Sequence, residues 1–279
     1  MEKKTFVFMI PSRQKILLTM INAATAAGAE IVKVKSGQYS VREKADLSPV
    51  TDADYAAQNT IAAALFPLGI PMISEESAAA DFSVRGLWDQ VFIIDPLDGT
   101  KEFINGSHQY GVNIAWVEQG TPVAGVIFLP EDGLLYVGAT DFPAMRIECA
   151  AGQQFDSLEQ LQGVKLPCGP YPDHYVLLVS KSRRTPQMEE YIEDFARQHP
   201  QAEILPMASC VKYCAIAEGR AHHYTRYGSV MEWDTAAGDA LLRSLGLALR
   251  SIADGKPLEY NKAVLHSSDF TVSRDGEHL

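Results

Sequence analysis

A layered α/β architecture is what this 279-residue sequence predicts, on three observations. Apolar residues recur at helical spacing in the opening segment, short β-branched runs bounded by Gly, Pro and Asp follow, and helix-like and strand-like patterns then alternate to the end. The first helix is read over residues 12–34, where Ile16, Leu17, Met20, Ile21, Ala24 and Ala27 form one stripe. A second covers residues 53–66, capped by Thr51. Strands follow at 91–94, 112–117, 123–129 and 134–139, the middle pair joined by the Gly120-Thr121-Pro122 turn. The second half reads as a strand at 176–179, a helix after Pro186, a strand near 203–205, a helix over 209–218, a strand at 221–224, a helix after Asp234 and a strand at 247–252. Residues 152–173, rich in Gly, Pro and polar side chains, divide the chain into an N-terminal α+β lobe, 1–155, and a C-terminal α/β lobe, 156–279.

Composition narrows the function classes. A hydrophobic content of 47% supplies a substantial core, and no apolar run approaches the roughly 20 residues that span a bilayer. Lys3-Lys4 and the apolar residues 6–10 are cut off by Pro11, too early for a secretory signal. A formal charge of −11 argues against a nucleic-acid polymer as partner, whereas a small anion drawn in by bound metal suits it. The four cysteines form no C-x-x-C pair, so neither a zinc site nor a disulfide framework is indicated and a reducing cytoplasm fits. Cys210 and Cys214, one helical turn apart, read as packing residues. His222 and His223, consecutive on a strand, would face opposite ways and hold no common metal.

Chemistry concentrates in Ile93-Ile94-Asp95-Pro96-Leu97-Asp98-Gly99-Thr100. Asp95 and Asp98 are hard oxygen ligands of the kind Mg²⁺ takes, and a turn between them lets both face one ion or a pair. Gly99 permits a turn whose amides point at an anion. Taken alone, the fragment also reads as an ordinary Asp-Pro/Asp-Gly turn after a strand. Glu75 and Glu76 follow another apolar run; on a continuing strand only one of them could serve a given site. Asp234 reads either as a helix N-cap, worth about 1 kcal/mol, or as a third metal-bearing carboxylate beside a helix N-terminus.

Together these segments resemble the inositol monophosphatase-like family of metal-dependent, lithium-sensitive phosphatases. The pattern D-P-[ILV]-D-G-T stands at Asp95–Thr100, E-E at Glu75-Glu76, W-D-x-A-A-G at Trp233–Gly238, and K-x-D-x-S-P-V-T-x-A-D at Lys44–Asp54, all in the family's order and spacing, over a match from about residue 15 to the end. The resemblance implies an α-β-α-β-α sandwich. Finer details resemble the branch of bacterial 3'(2'),5'-bisphosphate nucleotidases: Lys101-Glu102-Phe103 after the core motif, Glu232 before Trp233, Ser209-Cys210-Val211-Lys212-Tyr213-Cys214, and Gly255-Lys256-Pro257-Leu258. Three positions depart from that branch: Arg183 stands for a histidine, Cys210 for a serine and His222 for an aspartate.

What the resemblance implies is an Mg²⁺-dependent phosphomonoesterase that removes the 3'-phosphate of 3'-phosphoadenosine 5'-phosphate, inhibited by lithium. Glu75, Asp95 and the Leu97 carbonyl would hold a first Mg²⁺, and Asp95, Asp98 and Asp234 a second, with Asp46 available to a third. Thr100, hydrogen-bonded to Asp54, would activate water, with Glu75 counted among the catalytic groups; without the resemblance Asp54 is a first-turn acid favoured by the helix dipole. Leu97, Asp98, Gly99, Thr100 and Asp234 would meet the scissile phosphate, and Ser209, Lys212, Arg226 and Arg183 the rest of a nucleotide bisphosphate. The alternatives are an inositol or sugar monophosphatase and a nucleotide-binding regulator without turnover, and the chain would act as a monomer or homodimer.

Overall fold

The structure is a computed structural model that describes residues 11–182 and 184–274. In its first half it forms α1 (Arg13–Lys35), β1 (Val41–Glu43), β2 (Pro49–Thr51), α2 (Asp52–Leu65), β3 (Met72–Ser74), α3 (Phe82–Arg85), β4 (Gln90–Asp98) and α4 (Thr100–Ile104). Then come β5 (Gly111–Glu118), β6 (Thr121–Leu129), β7 (Leu134–Ala139), β8 (Phe142–Glu148) and β9 (Val164–Lys165). The second half forms β10 (Val176–Ser180), α5 (Pro186–Gln198), β11 (Glu203–Met207), α6 (Val211–Glu218), β12 (His223–Arg226), β13 (Val230–Met231), α7 (Ala236–Arg243), β14 (Arg250–Ser251), β15 (His266–Ser267) and β16 (Phe270–Ser273).

Two sheets organise these elements. Among the described residues one has seven strands in the order β3 to β9, antiparallel except for the parallel β3–β4 pair. The other has five, in the order β11-β10-β12-β16-β14, with β10 parallel to both β11 and β12. Strand periodicity sorts their side chains into layers. Phe92 and Ile94 of β4 pack with α1 and α2, whereas Val91 and Ile93 of the same strand pack with α6 and α7. On the smaller sheet Leu178 faces α6 and α7, while Leu177 and Val179 face Met188 and Phe195 of α5. The order is therefore helices, sheet, helices, sheet, helix: the expected α-β-α-β-α sandwich.

Small residues set the spacing of the middle layer. A Cβ on Gly125 of β6 would stand 2.3 Å from the Ala237 carbonyl oxygen, and one on Gly238 would stand 2.3 Å from the Tyr213 ring, so α7 lies directly on the sheet and against α6. Helix α1, with 23 residues, is long and apolar enough to cross a bilayer by length and composition alone. Instead, it buries Ile16, Leu17, Met20, Ile21, Ala24, Ala27 and Ile31 in the core, and Ser12 caps it by accepting from Lys15 N.

Several local expectations need correction. The turn between β5 and β6 is Gln119-Gly120, both left-handed at φ 46° and 76°, so Thr121 and Pro122 already belong to β6. Helix α6 begins two residues later than expected because Ser209 sits at φ 54° and breaks the helical path. The strand expected at 221–224 is β12 at His223–Arg226, which leaves His222 in the preceding turn, and the strand expected at 247–252 shrinks to β14. Strands β1, β2, β8, β9, β13, β15 and β16 and the short helices α3 and α4 are not among the expected elements. The segment at residues 6–10 lies outside the described residues.

Candidate active site

The core motif owes its geometry to an irregular strand. Residues three apart on a regular strand face opposite sides, yet β4 pairs Asp95 with Asn113 and Asp98 with Gly111. Three steps on β4 oppose two on β5, so one extra residue bulges out and re-aims Asp98 to the side of Asp95. Asp95 Oδ1 accepts from Leu97 N at 3.1 Å, and Asp98 Oδ2 accepts from Asn113 Nδ2 at 3.2 Å. Gly99 follows at φ 97°, a left-handed turn where a Cβ would approach the Gln109 carbonyl and Tyr110 to 3.0 Å. Helix α4 then opens at Thr100.

Carboxylates converge here from three elements. Oxygens of Glu75, Asp95 and Asp234 lie within 4.8 Å of one another. Strand β3 ends at Ser74, so both glutamates fall in the following turn, and Lys44 Nζ bridges Glu75 at 2.7 Å and Glu76 at 2.5 Å. Only Glu75 joins the carboxylate cluster. Asp234 is not the N-cap of α7: a short 3₁₀ turn, Glu232–Asp234, precedes the helix, Thr235 takes the cap position, and Asp234 Oδ2 accepts from Met231 N at 2.8 Å. Asp46 stands apart, its carboxylate turned back onto Ser48 at 2.6 Å, an exposed local turn that keeps it from the cluster.

Burial and crowding raise the pKa values of the clustered aspartates. Burial, then Glu75, Asp98 and Asp234 push Asp95 well above the ordinary range. Burial, followed by Asp98 and Glu75, pushes Asp234 up to about 7. Burial also raises Asp98, against the lowering effect of Lys212. For Lys44 burial acts downward, but Glu75 and Glu76 outweigh it and raise its pKa. A set of hard oxygen donors left mutually repelling in this way fits a divalent cation, which would neutralise it.

Beside the cluster lies a dyad of buried Asp54 and half-buried Thr100. Asp54 forms the capping box of α2: Oδ2 accepts from Thr51 N at 2.7 Å and Thr51 Oγ1 at 2.6 Å. Its Oδ1 is left for Thr100 Oγ1 at 2.9 Å, and the same hydroxyl lies 3.3 Å from the Leu97 carbonyl. The cap reading and the catalytic reading thus use different oxygens of one carboxylate. Burial raises Asp54, opposed by its bonds to Thr51 and Thr100.

An open cavity of about 180 Å³ joins these groups to the second half of the chain. Glu75, Asp95, Leu97, Asp98, Gly99 and Thr100 line it from one half, and Ser209, Lys212, Arg226 and Asp234 from the other. Ser209 Oγ donates to the Asp98 carbonyl at 2.9 Å, tying the strained turn before α6 to the core motif. Lys212, 5% exposed, donates to the Ser209 carbonyl at 2.6 Å and lies 5.5 Å from the Tyr224 ring centre. Arg226, 7% exposed, donates to Ser180 Oγ, while its Nε is buried with no hydrogen-bond partner among the described residues. Arg183 lies outside the described residues. His222 is not among the lining residues; it stacks on Tyr175 at 4.8 Å and accepts from Val176 N. Sequence reasoning missed Lys44, Lys101, Ser180 and Lys181 as residues at the site. Lys44 and Lys101 were visible inside matched motifs, whereas nothing local distinguishes Lys181 from a surface lysine.

Comparison with known proteins places nearly the whole chain in a family. Residues 12–277 match the model of the inositol monophosphatase family. The 3'(2'),5'-bisphosphate nucleotidase CysQ of Escherichia coli K12 is 35% identical over 241 residues, 85% of this chain and 90% of that protein. The crystal structure of CysQ from Bacteroides thetaiotaomicron superposes with a TM-score of 0.87 at 37% identity, covering 94% of this chain and 97% of that one. The suppressor protein suhB of Bartonella henselae shares the fold, with a TM-score of 0.71 at 22% identity over 93% of each chain. With its metal-suited carboxylates, its Asp54–Thr100 dyad and this match along nearly its whole length, the chain belongs to the inositol monophosphatase family.

Proposed function

We propose that this protein is an Mg²⁺-dependent phosphomonoesterase that removes the 3'-phosphate of 3'-phosphoadenosine 5'-phosphate, giving AMP and phosphate. The observation that carries the reading is a single cavity lined both by Glu75, Asp95, Asp98 and Asp234 and by the buried cations Lys212 and Arg226. A substrate with two phosphates suits that pairing: one for the carboxylate cluster and its cations, one for the fixed cations. In this reading Glu75, Asp95, Asp98, Asp234 and the Leu97 carbonyl would hold two Mg²⁺ ions, and lithium would compete for the set. Bound Mg²⁺ supplies Lewis-acid stabilisation of the phosphoryl and leaving oxygens and lowers the pKa of water.

The chain's own groups do the rest. Asp54, fixed by two bonds to Thr51, orients the Thr100 hydroxyl and accepts its proton, so that a Thr100 lone pair can take a proton from the attacking water. Glu75 holds the water on its other side. The turn at Gly99 and the first amides of α4 bind the scissile phosphate. Lys212 and Arg226 hold the second phosphate, with Ser209 fixing the approach of the two halves. The lobe of residues 1–155 thereby supplies the chemistry, and that of 156–279 supplies Asp234 and the specificity groups. The enzyme works in the cytoplasm as a monomer or homodimer.

The test is Mg²⁺-dependent phosphate release from equal concentrations of 3'-phosphoadenosine 5'-phosphate and inositol 1-phosphate, with a lithium control. A strong preference for the nucleotide is expected. Preference for inositol phosphate would discard the nucleotide reading, and silence on both would favour a binding protein.

A further inference from the structure

Not all the cations of the cavity are committed. Lys212 is clamped between the carbonyls of Ser209 and Met207, and Arg226 bonds Ser180. Lys101 and Lys181 line the same cavity, are exposed, and take no ion pair among the described residues. They come from different halves of the chain. Lys101 occupies the first turn of α4, directly after the dyad's Thr100. Lys181 directly follows Ser180, the partner of Arg226, and its backbone N donates to the Met207 carbonyl at 3.0 Å, the oxygen that also faces Lys212. Both backbones are therefore anchored to the site while both residues remain exposed.

A lysine held at its stem with a free head is suited to an incoming anion. It loses little on desolvation until the anion arrives, and its three donors adapt to a phosphate. The buried Nε of Arg226, without a partner among the described residues, shows that the fixed cations leave donor capacity unused there. The geometry points to Lys101 and Lys181 as a two-sided specificity clamp that closes on the second, non-reacting phosphate of the substrate from the cavity rim. The inference rests on the bisphosphate reading above. It adds to Lys212 and Arg226 a pair of residues from opposite halves, so recognition of the second phosphate spans the cleft. Glu102 lines the same cavity, and its negative charge disfavours an anion there.

The experiment compares 3'-phosphoadenosine 5'-phosphate with adenosine 3'-phosphate, which differ only in the second phosphate. The wild-type ratio of kcat/KM for the two substrates is measured first; a ratio near one would overturn the bisphosphate reading and the clamp with it. Given a wild-type preference, Lys101→Ala and Lys181→Ala are each expected to lower that ratio about three- to tenfold, mainly through KM. The double variant should lower it by nearly the product, each Lys→Arg change should restore most of it, and Glu102→Gln should raise it. Lys256→Ala, a surface charge elsewhere, controls for the loss of one positive charge. Binding of AMP, measured by calorimetry without turnover, should weaken in parallel. Added salt should erode the wild-type ratio more than that of the double variant. Equal losses on both substrates, or an unchanged ratio in the double variant, would overturn the clamp and leave the bisphosphate reading standing.

Discussion

Replacing Asp54 by Asn tests the proposed water-activating dyad at a single atom. Thr51 N–H must keep an acceptor, so the amide oxygen takes the place of Oδ2 and the amide nitrogen faces Thr100, where Oδ1 now stands 2.9 Å from the hydroxyl. The hydrogen bond then reverses. Thr100 accepts from the amide, its own proton turns to the Leu97 carbonyl, and the lone pair needed by the water is engaged. Loss of a positioned general base costs about 10²- to 10⁴-fold, and that is the fall expected in kcat. Stability should change by less than about 1 kcal/mol, because weaker bonds to Thr51 are offset by removing a charge that burial disfavours. The assay is kcat and KM on 3'-phosphoadenosine 5'-phosphate across an Mg²⁺ titration, with thermal unfolding alongside. Thr100→Ala should slow the chemical step to a similar degree, and the double variant should be scarcely worse than either single one, as residues acting as a unit behave. A kcat within about fivefold of wild type, or losses that multiply in the double variant, would refute the dyad.

Asp95→Asn should abolish turnover and weaken Mg²⁺ binding measured by calorimetry, since a neutral amide is a poor Mg²⁺ ligand at the centre of the cluster; near-normal activity would remove Asp95 from the metal set. Lys212→Ala should lower kcat/KM for the bisphosphate by about ten- to a hundredfold, as loss of a charge-assisted contact does, and affect inositol phosphate far less. For pH, Asp234 rises from 3.8 to about 7 in the folded, metal-free protein, so its contribution to stability is present below the unfolded value and lost as pH rises to about 7. Mg²⁺ should therefore raise the melting temperature more at pH 8 than at pH 6; an equal rise at both would contradict the shift. Gly125→Ala should destabilise the fold by about 1–3 kcal/mol in denaturant titration, because its Cβ would press on the Ala237 carbonyl and lift α7 from the sheet. No change there would mean that the helix has room to move.

Much of this protein could be read from short-range pattern. The stripe from Ile16 to Ala27, the Thr51 cap and the apolar runs around residues 93, 114, 126 and 136 each declare their element because burial on one face imposes a local period. Asp95, Asp98, Thr100, Glu75 and Asp234 are legible as a set through the family resemblance of their motifs; the residues alone show only ligand types suited to Mg²⁺. Strands β8 and β16 were not legible: Phe142–Glu148 mixes buried and half-exposed positions, and Phe270–Ser273 is only four residues long, so neighbours in the sheet decide them. The bulge that brings Asp98 beside Asp95 exists only through pairing with β5. Likewise the ion pair of Lys44 with Glu75 and the shared cavity of Lys101 and Lys181 join residues far apart in the chain. The sequence by itself determined which groups could do the chemistry, since that depends on side-chain type and local period. Which of them share one cavity, and with what charge around each, was decided by tertiary packing, because distance and burial are properties of the folded layers and not of the order of residues.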